Sequence, residues 1–249
     1  MNRINYKIKK LTNFIIAHIV SLSLSLPLSV PIYADQNVDE RYNRAVGDIV
    51  LSPGQAAHNI KSANGVVVTN INAPDRAGNS VNHFKKLNIN NDGHIYNNIP
   101  KNTRPDAILT NTKIGGQVSP NPNLKNGSAR TIISEVNNNN VKINGSIEVA
   151  GNKANLVIVS PKGIVVNGGK VLNVGDLKYI GGKVEYDKSG NIAKYITSKE
   201  GIVSFKGKGE NIARLDYFTV ISRQIKGVEK IVGAIEEIDD KENKAKGKT

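Results

Sequence analysis

From Val66 to Ile225 the chain repeats one local pattern: a short stretch that alternates apolar and polar residues, then a turn of Gly, Asn, Asp or Pro. The stretches read VVVTNINAP (66–74), HFKKLNIN (83–90), HIYNNI (94–99), AILTNTKIGGQV (107–118) and ARTIISEV (129–136). They continue as VKINGSIEVAG (141–151), ANLVIVSP (154–161), KGIVVNGGKV (162–171), LKYIGGKVEY (177–186), AKYITSKEGIVSFKG (193–207) and ARLDYFTVISRQI (213–225). A period of two places alternate side chains on opposite faces of a strand, and Asn-Gly or Asp-Gly supplies positive φ at little cost. The chain is therefore expected to be all-β. A helical bundle fits poorly, because Asn and Gly are weak helix formers.

Two all-β architectures meet this pattern. One is a sandwich or barrel of hairpins, the other a solenoid of stacked parallel coils. Two features favour the solenoid. Segments with two or three short strands recur at a spacing of about 20–25 residues, near the period of repeat folds. The high Asn content also suits coils stacked ~4.8 Å apart, where side-chain amides can bond up and down the stack. Residues 38–62 are more mixed in character and suit a cap over the open end of such a stack.

The N-terminus has a different grammar. Residues 1–10 are cationic, residues 11–30 (LTNFIIAHIVSLSLSLPLSV) are apolar, and PIYA precedes the polar DQ. This is the order of a secretory signal peptide, with cleavage expected near Ala34. Pro27, Pro31, Asn13 and the serines argue against a membrane anchor, and no later apolar stretch is long enough to span a bilayer. At the other end IVGAIEEIDD (231–240) reads as a short helix, followed by a charged tail expected to be partly disordered.

Composition narrows the chemistry. With no Cys there is no disulfide framework, thiolate metal site or cysteine nucleophile. The net charge is +13; residues 1–34 hold four bases and no acid, which leaves 30 basic against 21 acidic residues beyond them. That balance suits a Lys-rich solvated surface and permits contact with anionic partners. Scattered aromatics and the lack of any RNP-like or zinc-finger pattern speak against nucleic acid. His58, His83 and His94 have no metal-ligand spacing, and HExxH and GxSxG are missing. GKGENI (207–212) and GIVVNGGKV (163–171) lack the registers of phosphate-binding loops. Asp106, Asp176, Glu185 and Asp187 are too scattered to propose as a catalytic set. No cofactor, metal or catalytic residue is expected.

One ordered set of motifs is specific. It comprises VVVTNINAPDRAGNSVNHFKKLNINNDGHIYNN, then GGQVSPNPNLKNGSARTIISEV, then INGSIEVAGNKANLVIVSPKGIVVNGG, with RLDYFTVISRQI near the C-terminus. This text resembles the N-terminal secretion domain of two-partner-secreted exoproteins, the filamentous haemagglutinin and contact-dependent-inhibition family. The resemblance implies a right-handed parallel β-helix with an N-terminal cap and export through the periplasm to the cell surface or medium. It implies recognition by the POTRA domains of an outer-membrane TpsB-type transporter, and an adhesin-like role toward a host-cell or glycan receptor. The implied organisation is a signal peptide over 1–34, the secretion β-helix over 35–225 and a charged tail over 226–249.

The family's first hallmark is intact as Asn121, Pro122, Asn123 and Leu124. Proline fixes φ and Asn bonds its own backbone, so a structural turn and a transporter contact are both readings of these residues. The second hallmark, an NPNG-type turn followed by an apolar residue, stands here as Ser160, Pro161, Lys162, Gly163 and Ile164. Ser160 and Lys162 depart from it. Ser keeps a weaker turn bond, whereas Lys has no acceptor to offer. The chain reads as non-enzymatic. Beside the secretion reading stand a β-helical polysaccharide-active enzyme, a basic glycan-binding surface protein and a truncated remnant of a longer exoprotein.

Overall fold

A computed structural model of the chain describes residues 2–7, 48–101, 109–233 and 236–237. Its body is a parallel β-helix with three faces. The first face stacks Val67–Asn70, His94–Asn98, Ile147–Gly151 and Val171–Leu172. The second stacks Asn79–Ile89, Thr131–Val136, Ala154–Val159, Val174–Ile180 and Tyr217–Ser222, all mutually parallel. The third stacks the end of Asn79–Ile89 on Val141–Ile143, Ile164–Val166, Ile202–Phe205 and Gln224–Lys226, again parallel. Among the described residues this makes five rungs on the second and third faces.

The ladder runs on through the corners. Asn144, Asn167 and Lys206 each donate a backbone N–H to the rung before, at Ile89, Ile143 and Val166, over 2.7–2.8 Å. These bonds satisfy turn backbone that would otherwise be orphaned next to a dry interior. Glycine is needed where rungs meet: a Cβ on Gly145 would lie 1.8 Å from the Asn90 carbonyl oxygen. The Asn content serves the same end. Asn97 Nδ2 donates to Asn70 Oδ1 at 2.6 Å and Asn167 to Asn144 at 3.3 Å, both between consecutive rungs. Other amides bond to backbone instead, as Asn173 does to the carbonyls of Val149 and Gly151.

The interior is a column of inward residues from successive rungs. On the second face Ile132, Leu156, Leu177 and Phe218 form one file and Ile158, Tyr179 and Val220 another. Each fully buried side chain of this kind contributes about 1.5–3 kcal/mol. At the C-terminal end Tyr179 meets Phe218 edge to face, with ring centroids 5.6 Å apart, and Phe205 lies against both. Aromatic content is low, and three of the rings are gathered here.

The N-terminal end is closed as the sequence suggests, and the C-terminal end differs from it. Ile49–Leu51 and His58–Lys61 lie antiparallel on the first rung and close its N-terminal edge; residues 38–47 lie outside the described residues. The helix expected over 231–240 is not formed where the chain is described. Ile231–Val232 is extended and pairs with Glu210–Asn211, and Glu236–Glu237 is extended too. A free sheet edge offers the backbone hydrogen bonds that a short helix would have to supply alone, so tertiary pairing overrides local preference. Of the expected signal segment, Asn2–Lys7 is a strand antiparallel to Tyr217–Ser222, and residues 8–34 lie outside the described residues.

Two segments that read as further strands leave the stack. Thr110–Thr112 pairs antiparallel with Gly116–Val118, and Gly182–Tyr186 with Ile192–Thr197. Alternation reports a strand with two unlike faces, and does not report which sheet it joins.

Candidate functional site

The first hallmark lies in the long insertion between the first and second faces of the second rung. Asn121 through Leu124 form a tight turn, in which the Leu124 N–H donates to the Asn121 carbonyl at 3.1 Å. Asn121 is fully buried. Its Oδ1 accepts the Asn123 N–H at 2.9 Å, and its Nδ2 donates to the carbonyls of Ile71 and Asn97 at 3.0 and 2.9 Å. Its own N–H donates to Ile99. Asn123 Nδ2 reaches the carbonyls of Ala56 and Ile71, both at 3.0 Å. Leu124 is fully buried in the lumenal core. The motif thus ties the insertion to the cap and to the first two rungs. Pro122, at the corner of the turn, is exposed and Asn123 half-buried.

The second hallmark sits at the corner between the second and third faces of the third rung. Ser160 is fully buried. Its Oγ accepts the Lys162 N–H at 3.1 Å and donates to the Asn139 carbonyl at 2.8 Å, which links this turn to the one before. The Gly163 N–H donates to the Ser160 carbonyl at 3.2 Å. Gly163 has φ +94°, and a Cβ there would lie 2.5 Å from the Ile202 carbonyl oxygen. Ile164 is buried in the lumen. Lys162 points outward and pairs with Glu200 of the next rung at 2.8 Å, while Pro161 is half-buried. The serine therefore supplies the side-chain bond of the turn, and the lysine is not asked to accept one.

The two hallmarks occupy different corners and form no joint pocket. Each joins consecutive turns, and neither presents a nucleophile or a paired acid and base. The scattered carboxylates stay scattered. Asp176 lies 3.8 Å from Lys178, Glu185 pairs with Lys194, and Asp187 caps the turn that contains Ser189 and Asn191; Asp106 lies outside the described residues. His94 is buried between Val67 and Thr69, and burial lowers its pKa to about 3, so its ring is neutral. Among the described residues no cluster of His, Asp and Glu could hold a metal ion, and no helix is long and apolar enough to cross a membrane.

Two buried acids escape sequence reading. Glu148 accepts the N–H groups of Lys113 and Ile114 at 2.8–2.9 Å and thereby holds the 110–118 hairpin to the first face. Glu210 accepts a 2.5 Å bond from the Tyr179 hydroxyl inside the lumen, where burial raises its pKa to about 7. Glu148 alternates outward between the lumenal Ile147 and Val149, as a solvated acid would, and Glu210 sits in the Gly-rich stretch GKGENI, so nothing in the local text marks either as buried.

Comparison with known proteins agrees with this geometry. A family model described as "TPS secretion domain" matches residues 50–244. The 16S rRNA endonuclease CdiA of Enterobacter cloacae subsp. cloacae is 35% identical over 175 residues, 70% of this chain and 5% of that protein. The tRNA nuclease CdiA-2 of Burkholderia pseudomallei is 30% identical over 217 residues, 86% of this chain and 6% of that protein. The chain thus spans only about one twentieth of the length of these relatives. Among solved structures, the filamentous hemagglutinin secretion domain superposes with a TM-score of 0.61 at 28% identity, covering 78% of this chain and 66% of that one. On the family match, the shared β-helix and the relatives together, this chain belongs to the TPS secretion domain family of filamentous-haemagglutinin and CdiA-type exoproteins.

Proposed function

We propose that the chain is an export-directing domain, recognised in the periplasm by the POTRA domains of a TpsB-type outer-membrane transporter. The observation that carries this reading is the family match across residues 50–244. In this reading a signal peptide over 1–34 is removed near Ala34, residues 35–225 are the secretion domain and 226–249 a charged tail. Asn121–Leu124 and Ser160–Ile164 serve the transporter by holding the surface in shape. Their buried members are out of reach of a partner on the folded domain, and Pro122 and Lys162 are the members offered directly. The role is non-enzymatic. The nuclease activities named for the relatives are not carried over, because the aligned segment is about one twentieth of their length.

The test is export. The chain is expressed in a two-membrane bacterium with and without its cognate barrel, and the processed protein is located. Barrel-dependent appearance outside the cell is expected. Equal release without the barrel, or retention in the periplasm with it, overturns the reading.

An adhesive role is a second reading, favoured by the basic balance beyond residue 34. Retention on a sulfated polysaccharide that is lost as salt rises would support it, since screening weakens exposed charge contacts. Salt-independent retention, or none, would count against it.

A further inference from the structure

In a solenoid whose rungs touch only their neighbours, stability is a sum of local terms and the two ends open separately. Here one element reaches from end to end. The chain leaves the second face after Ile180, runs out along Gly182–Tyr186, turns at 187–191 and returns along Ile192–Thr197. Gly182 and Thr197 are directly paired, so the excursion leaves and rejoins the stack at one point.

The hairpin lies on the outer side of the second face. Its Val184, Tyr186, Ile192 and Tyr195 pack into a cluster with outward residues of the rungs beneath. Those residues are Val81 of the first rung, Ile133 of the second, Val157 and Val159 of the third, Ile180 of the fourth and Ile221 of the fifth. The Tyr186 hydroxyl donates to Glu135 Oε1 at 2.5 Å, and Glu135 Oε2 lies 3.4 Å from His83 Nδ1 on the first rung. At the tip, Asn79 Nδ2 donates to the Gly190 carbonyl at 3.1 Å, joining residues 111 apart in sequence. A hairpin that belongs to the fourth rung is thus bonded to the first.

We propose that the 182–197 hairpin is a strap that closes on the completed stack and makes the five rungs open and close as one unit. Its docking face does not exist until the rungs are stacked side by side. Without it Ile133, Val157 and Val159 face water, so a partial stack gains the lumen but loses its outer cover. No disulfide is present to do this work. The consequence is that the first rungs do not form a lasting fold before residues 182–197 have been delivered. This does not rest on which transporter, if any, handles the chain.

Hydrogen exchange of the purified chain in low urea tests the strap. In the parent, amides of Thr131–Val136 and Tyr217–Ser222 are expected to share one opening, with protection within about tenfold and the same urea dependence. In Tyr186→Ala/Ile192→Ala, protection at 217–222 is expected to fall at least ~100-fold below that at 131–136, because the ends are uncoupled. A lumenal control, Leu156→Ala, weakens the stack with the strap intact and should lower both segments alike. The proposal fails if the parent already opens 217–222 while 131–136 stays closed. It fails equally if the double variant keeps the two segments within tenfold. Should the double variant not fold, the parent decides alone: a shared opening supports the strap and separate openings overturn it.

Discussion

Replacing Asn121 with Ala tests whether the first hallmark works through the fold. The change removes the amide that donates to the buried carbonyls of Ile71 and Asn97 and the oxygen that accepts the Asn123 N–H. A net hydrogen bond is worth ~1 kcal/mol, and a buried group left unsatisfied costs more. With three bonds lost at a fully buried site, the expected destabilisation is about 3 kcal/mol. For a domain of this size that lowers the melting temperature by roughly 6–12 °C. Asn123→Ala loses two bonds at a half-buried site, and about 1–2 kcal/mol is expected. Pro122→Ala, on an exposed corner, should cost under ~1 kcal/mol, mainly through the freer unfolded chain. Urea and thermal unfolding of the purified variants give this order directly. An Asn121→Ala protein within 0.5 kcal/mol (about the size of a neutral surface change) would refute the reasoning, because the bonds would then carry no net stability. Export of the same variants separates stability from contact. Loss that tracks the stability order assigns the motif to the fold. A larger loss for Pro122→Ala than for Asn121→Ala would assign it to the transporter.

Glu210 makes the C-terminal rung sensitive to pH. Its folded pKa, raised by burial to about 7, exceeds its ordinary value of 4.5, so the contribution is fully present below pH 4.5 and is lost as pH rises through 7. The loss is on the order of 3 kcal/mol, and Glu210→Gln should flatten the dependence of the urea midpoint between pH 5 and 8; an unchanged slope would refute it. Gly163→Ala forces an L side chain into positive φ against the Ile202 carbonyl and should cost about 2–3 kcal/mol in chemical denaturation. Lys162→Ala, which loses only an exposed ion pair, should change stability by less than ~1 kcal/mol. Glu148→Ala leaves the buried-side N–H groups of Lys113 and Ile114 without their acceptor, and limited proteolysis should then cut first within 109–118; an unchanged cleavage pattern would show that the hairpin is held otherwise.

The strands were legible because their signal is local. Alternation in Val141–Ile143 and Ile164–Val166, with lumenal ends and an outward middle, follows from the pleat alone. The hallmark turns were legible for the same reason: Pro122 presets φ, Asn121 bonds two residues on, and Gly163 takes positive φ. At the second corner the residue types leave a turn bond to Ser160 and no acceptor at Lys162. The structure supplies that bond from Ser160 and sends the lysine to Glu200.

By itself, then, the amino-acid sequence determined the all-β class, the turn positions and the family-defining corners, each written in a few adjacent residues whose sterics act over one turn. Only the tertiary structure decided which strands stack and which leave. ANLVIV shows the difference. Its unbroken apolar run demands cover on both faces, and any apolar hairpin would answer. That Leu156 and Ile158 enter the lumen while Val157 and Val159 meet Tyr186 and Tyr195 depends on residues up to 38 places away. The inward placement of Glu210 depends likewise on Tyr179 waiting inside. Hydrophobic burial is non-directional. It specifies that a face must be covered, and the partner is chosen by the assembled stack, whose register brings distant rungs beneath one hairpin.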